Sequence, residues 1–109
     1  MDGALDAITE FRRAGLELAV VTGAGANGVH ATLRANDLER HFATVVSGDD
    51  VRASKPAPDC YLLALERLGL QAADCLAIED TQHGLQAARA AGIRCLVLPT
   101  PMSRQHDFD

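Results

Sequence analysis

The chain has no tryptophan and few aromatic residues of any kind, 4% of its 109 residues. A core is possible, but it must be built from Ala, Leu, Val and Ile. There is no cluster of Lys or Arg, and the net charge is −5. That excludes a nucleic acid or an anionic membrane surface as partner, and any phosphate site must be local. No apolar run approaches the roughly 18 residues a membrane helix needs, and no signal peptide is recognisable. No Cys-x-x-Cys occurs. The three cysteines, Cys60, Cys75 and Cys95, are an odd number, widely spaced and set in apolar runs. They fit no disulfide framework and are expected to be reduced core residues of a cytoplasmic protein.

What is present alternates. A helix is expected over about residues 3–14, capped by Asp2 and stopped by Gly15, with Leu5, Ile8 and Phe11 recurring every three. A strand follows over 16–21, a small-residue turn over 22–25, then a helix over 27–35 broken at Asn36-Asp37. Strand 43–46 leads into a polar loop that ends at Lys55. Pro58 opens a helix to Leu68, with Tyr61, Leu62, Leu65 and Leu68 on one stripe and Gly69 as stop. Strand 75–78, helix 81–91, stop Gly92 and strand 93–98 complete the order. Residues 1–101 are thus expected to form one α/β domain with a parallel sheet, and 102–109 a polar tail.

In such sheets ligands sit beyond the carboxyl ends of the strands. Thr22, Asp49, Lys55, Glu79 and Asp80 all fall there. The adjacent carboxylates of Glu79 and Asp80 suit a hard cation with oxygen ligands such as Mg²⁺, although Asp80 could equally cap the next helix. Lys55 lies in a loop stiffened by Pro56 and Pro58, which is what a positioned cation requires, although a lone lysine is more often simply solvated. The Thr22 hydroxyl and the amides of Gly23 and Ala24 could hold phosphate oxygens, or form an ordinary strand-to-helix turn. A competing signal is literal: Gly23, Gly25 and Gly28 make a GxGxxG between strand and helix. Asp49 and Asp50 follow about 20 residues on, as in a dinucleotide-binding fingerprint. His30, His41, His83 and His106 have no ligand spacing; they are expected on the surface or at helix caps, with His83 near the mouth of the site.

Several spaced strings together resemble one family. They are Ser54-Lys55-Pro56-Ala57-Pro58-Asp59-Cys60-Tyr61, Leu68-Gly69, Ile78-Glu79-Asp80-Thr81 with Gly84, and Ala87-Ala88 with Ala90-Ala91-Gly92. In this order they resemble the haloacid dehalogenase superfamily, in its β-phosphoglucomutase-like and phosphoglycolate-phosphatase-like branch. The resemblance covers about residues 1–105. It implies a Rossmann-like three-layer sandwich and phosphoryl transfer from a small phosphorylated metabolite, by a phosphatase or a sugar phosphomutase. It makes Thr22 the phosphoryl-binding hydroxyl and Lys55 the charge-stabilising cation, both counted as catalytic, and makes Glu79 and Asp80 the Mg²⁺ ligands.

The family's first motif, an Asp-x-Asp on the central strand, is not found ahead of Thr22, and neither is the small helical cap domain that selects substrate. Asp107-Phe108-Asp109 has the spacing, but no apolar strand leads into it. The chain alone is therefore expected to be inactive and to bind Mg²⁺ weakly or not at all. A non-catalytic module completed by a partner is the alternative. Without the central strand the remaining strands should flank a gap as two pairs. Dimerisation, strand exchange or marginal stability is the expected consequence.

Overall fold

The computed structural model describes residues 4–97, with backbone only for Ala4 and Leu5. Four helices, α1 (Ala4–Arg13), α2 (Ala26–Ala35), α3 (Asp59–Leu68) and α4 (Gln82–Ala90), alternate with four strands. These are β1 (Ala19–Val21), β2 (Thr44–Val46), β3 (Leu76–Glu79) and β4 (Arg94–Val97). Short 3₁₀ turns at Glu39–His41, Gly48–Asp50 and Ala72–Asp74 fill the connections. The expected α/β order with parallel strands is what the chain forms. The Asp2 cap and everything beyond Val97, including the tail, His106 and Asp107-Phe108-Asp109, lie outside the described residues.

The strands start later than the hydrophobic pattern predicts, and the helix stops explain why. At Gly69 the backbone is left-handed, φ 67°, and the amides of Gly69 and Leu70 turn back to the carbonyls of Glu66 and Leu65. Gly15-Leu16 and Gly92-Ile93 repeat the same arrangement on Arg12/Phe11 and Arg89/Ala88. In this capping motif the residue after glycine closes the helix rather than opening a strand. Leu16, expected in a strand, is thus spent on the cap and is 55% exposed, and Ile93 is buried just ahead of β4.

The strands form two separate parallel pairs among the described residues. β1 lies beside β2 with Val21 opposite Val46, and β3 beside β4 with Glu79 opposite Val97. The two-pair arrangement expected from the resemblance is observed. α3 packs on β1 and β2, α4 packs on β3 and β4, and the two helices touch, so one helical layer joins the half-sheets. The radius of gyration is 13.5 Å, close to the roughly 13 Å of a compact domain of this length. The half-sheets therefore do not splay apart.

Small side chains make this close approach possible. The buried cluster is Val46, Cys60, Tyr61, Ala64, Ala77, Ala87, Ala88 and Ile93. Two expectations need correction. Leu62 is half exposed, because the buried stripe of α3 runs through Tyr61 and Ala64, the helical i, i+3 neighbour. Cys75 and Cys95 are only half-buried, packed against the margin of the cluster rather than inside it. All three thiols are free, and burial pushes each above its ordinary range.

Candidate active site

At the carboxyl ends of β1 and β3 the side chains of Lys55, Glu79 and Tyr61 meet in one cluster, whereas Asp49 and Asp50 after β2 are bonded elsewhere. Lys55 projects from the loop before α3. Its ammonium donates to Glu79 Oε2 at 2.7 Å and to the backbone carbonyl of Val21 at 3.1 Å. Lys55 therefore ties the end of β1 to the end of β3 across the gap between the half-sheets. The ion pair is largely dry, the side chains being 17% and 7% exposed. An ammonium has three N–H donors. Two are used here, and one remains.

Glu79 is the last residue of β3, with its carboxylate inside the fold. The Tyr61 hydroxyl, from the first turn of α3, donates to the same Oε2 that accepts from Lys55. The Tyr61 ring also lies under the ammonium, 5.4 Å from Nζ to the ring centroid. Burial, and then the hydrogen bond to Glu79, push the Tyr61 phenol well above its usual value. Glycine is required at position 84, because a Cβ there would overlap the Glu79 carboxylate.

Thr22 follows β1 directly, so its hydroxyl sits one peptide from the carbonyl that Lys55 grips. Thr22 Oγ1 accepts from the Ala24 amide at 3.1 Å, a side-chain turn. Ala24, expected to offer its amide to phosphate, has therefore already committed it. Its carbonyl is occupied too, by the Gly48 amide at 2.7 Å. The Thr22 hydroxyl proton remains a donor, and Gly23 beside it is exposed.

Asp80 is exposed, whereas Glu79 is not. The helix-capping alternative for Asp80 does not hold: Thr81 is the N-cap of α4 and accepts from the Gly84 amide at 3.1 Å. Asp80 is thus available to a ligand. The donors at this point are carboxylate oxygens alone, the type that Mg²⁺ takes, with one or two protein carboxylates completed by water and phosphate. In donor type Glu79 and Asp80 suit that cation, but Glu79 Oε2 is already shared by Lys55 and Tyr61. No group of three or more His, Cys, Asp or Glu side chains that could hold a metal occurs among the described residues.

The dinucleotide alternative fails on geometry. Asp49, assigned to a ribose, instead accepts from the Ala26 amide at 2.8 Å, on the helix N-terminus where the pyrophosphate would lie. Asp50 is turned to Ser47, whose amide and hydroxyl both donate to it, and that pairing holds its carboxyl below the usual value. A Cβ on Gly28 would meet nothing within 4 Å, so no close helix packing requires glycine there.

Among the described histidines, His83 is the one next to the Glu79-Asp80 strand end in the chain, exposed in the first turn of α4. His30 pairs with Glu39 at 2.8 Å and His41 with Arg12 at 3.3 Å, both remote from Lys55 in the chain. Sequence reasoning missed Tyr61, which it placed only as a core residue. The signal was there: a buried phenol needs a partner, and the nearest unexplained polar groups were Lys55 and Glu79.

A family model for haloacid dehalogenase-like hydrolases matches residues 1–98. The plasmid-borne protein CbbY of Cupriavidus necator is 48% identical over 105 residues, covering 94% of this chain and 41% of that protein. The phosphoglycolate phosphatase of Escherichia coli is 38% identical over 87 residues, covering 80% of this chain and 34% of the enzyme. The crystal structure of CbbY from Rhodobacter sphaeroides in complex with phosphate superposes with a TM-score of 0.91. It is 39% identical, covering 97% of this chain and 48% of that one. The chain spans about half the length, or less, of the relatives it matches.

Proposed function

The chain belongs to the haloacid dehalogenase-like hydrolase family, and on that premise we propose that it is the phosphoryl-transfer core of a Mg²⁺-dependent phosphatase for a small phosphate monoester. The observation that carries this is the ammonium of Lys55, fixed between Val21 and Glu79 beside the Thr22 hydroxyl, with one N–H unspent. In this reading that N–H and the hydroxyl are the donors to the oxygens of a phosphoryl group. Glu79 holds the ammonium in place, and its burial keeps water from competing for the pair. Glu79 and Asp80 would hold Mg²⁺, which when bound neutralises charge on phosphate oxygens. Relatives named for phosphoglycolate and fructose 1-phosphate support a sugar or hydroxy-acid phosphate as the substrate class. Free thiols, held protonated by burial, suit a reducing cytoplasmic setting.

Within the 109 residues no Asp-x-Asp precedes Thr22. In this reading the phosphoryl-accepting aspartate is not supplied by the described residues. The purified chain in Mg²⁺ is expected to hydrolyse p-nitrophenyl phosphate no faster than buffer does. Mg²⁺-dependent turnover that copurifies with the chain would refute this account of the site.

The gap between β1 and β3 has a consequence for assembly. Each half-sheet carries an edge of unpaired backbone groups facing it, and such edges recruit strands. The isolated polypeptide is accordingly a homodimer or strand-exchanged species in this proposal. Sedimentation velocity at rising concentration should show dimer growing at the expense of monomer, and a single monomeric boundary throughout would argue against it.

A further inference from the structure

We infer that Tyr61 is a positioning residue for the Lys55–Glu79 pair, and that this tyrosine, the only one in a chain without tryptophan, is an optical reporter of that pair. The inference builds on the phosphoryl-transfer reading of the site. A buried hydroxyl needs only one partner, and many acceptors would serve. Tyr61 instead selects Glu79 Oε2, the oxygen already satisfied by Lys55 at 2.7 Å. Two consequences follow. The shared oxygen fixes the rotation of the carboxylate, which leaves the group lying over Gly84. Sharing also spreads the carboxylate's charge over two donors, while the ammonium, with Val21 and Glu79 as its two acceptors, keeps its third N–H for a ligand.

The ring acts separately from the hydroxyl. It lies 5.4 Å under Nζ and closes the core side of the ammonium, so that Nζ faces Val21 and the neighbouring Thr22. One side chain therefore holds both members of the pair, the anion through its hydroxyl and the cation through its face. Substitution separates these actions, since Tyr61→Phe removes the first and Tyr61→Leu removes both.

Three measurements on the whole chain test this. Inorganic phosphate binding with Mg²⁺ present, followed by titration calorimetry, is expected to weaken about tenfold in Tyr61→Phe, the scale of one lost hydrogen bond to a charged group. It is expected to weaken further in Tyr61→Leu. Tyrosine emission of the wild type is expected to be quenched by the carboxylate acceptor and to rise in Glu79→Gln, with Asp80→Asn unchanged as the neighbouring control. In wild-type NMR spectra the tyrosine hydroxyl proton should be slowly exchanging and close in space to the Lys55 side chain.

Phosphate affinity unchanged in Tyr61→Phe overturns the positioning role. Emission unaffected by Glu79→Gln in a folded variant overturns the reporter. Should Glu79→Gln fail to fold, absence of the protected hydroxyl proton in the wild type overturns it instead. If the wild type binds no phosphate while emission still responds to Glu79, the functional reading falls and the Tyr61–Glu79–Lys55 arrangement stands.

Discussion

Replacing Lys55 with methionine is expected to cost about 3–5 kcal/mol of folding stability, because it leaves the buried Glu79 charge without its cation. A domain of this size has only about 5–15 kcal/mol in total, so the variant should sit near the edge of folding. The sign follows from burial. At an exposed pair, water would take over the stranded charge and the loss would be under about 1 kcal/mol. Here the Glu79 side chain is 7% exposed, and the Tyr61 hydroxyl is its sole remaining donor among the described residues. Glu79→Gln alone should cost less, since Lys55 is the more exposed partner and can turn its ammonium to solvent. The double variant Lys55→Met with Glu79→Gln should recover most of the loss, because no buried charge is then left unpaired. Urea midpoints at constant slope measure all three. A Lys55→Met midpoint within about 1 kcal/mol of wild type would show that the pair is solvated rather than dry.

The same pair shows where the sequence was informative and where it was silent. Alternation of short apolar runs with amphipathic stretches was enough for the α/β order. Gly15, Gly69 and Gly92 ended helices where expected. The stiffened loop around Lys55 and the position of Glu79 at a strand end were also visible. What joined them was not: the contact spans 24 residues, and nothing local encodes it. Tyr61 was hidden in plain view, because an aromatic residue on a helical stripe has the pattern of core whether or not its hydroxyl is in use. Leu62 was placed wrongly for a related reason. Periodicity counts large apolar residues, whereas α3 buries the small Ala64 to let the helix approach β1 and β2.

The glycines divide in the same way. GxGxxG is a strong string, yet Asp49 stands on the helix N-terminus that the string was expected to keep open for phosphate. Gly48 escaped notice, although a Cβ there would overlap the Gly23 carbonyl and push the loops after β1 and β2 apart. Close approach between loops depends on two chain segments at once, so a pattern along one segment does not reveal it.

Gly84 is the position at which two opposing effects can be weighed. It lies in the first turn of α4, and Gly→Ala in a helix is ordinarily worth about 1 kcal/mol of added stability. At this site the added Cβ would overlap the Glu79 carboxylate. A flexible side chain could normally swing aside, but this one is held by Lys55 and Tyr61 and lies in the interior. Moving it breaks hydrogen bonds to a charged group, at about 1.5–3 kcal/mol, and overpacking adds about 1–3 kcal/mol. These losses exceed the helical gain, so Gly84→Ala is expected to destabilise by about 2 kcal/mol or more. Gly28→Ala provides the matched control: it is also in a first helical turn, and its Cβ would meet open space. That variant should gain up to about 1 kcal/mol. Thermal melts of the two variants should therefore shift in opposite directions from wild type. Equal upward shifts would mean that the Glu79 carboxylate moves freely, and that the clearance at Gly84 does not hold the Lys55–Glu79–Tyr61 cluster in place.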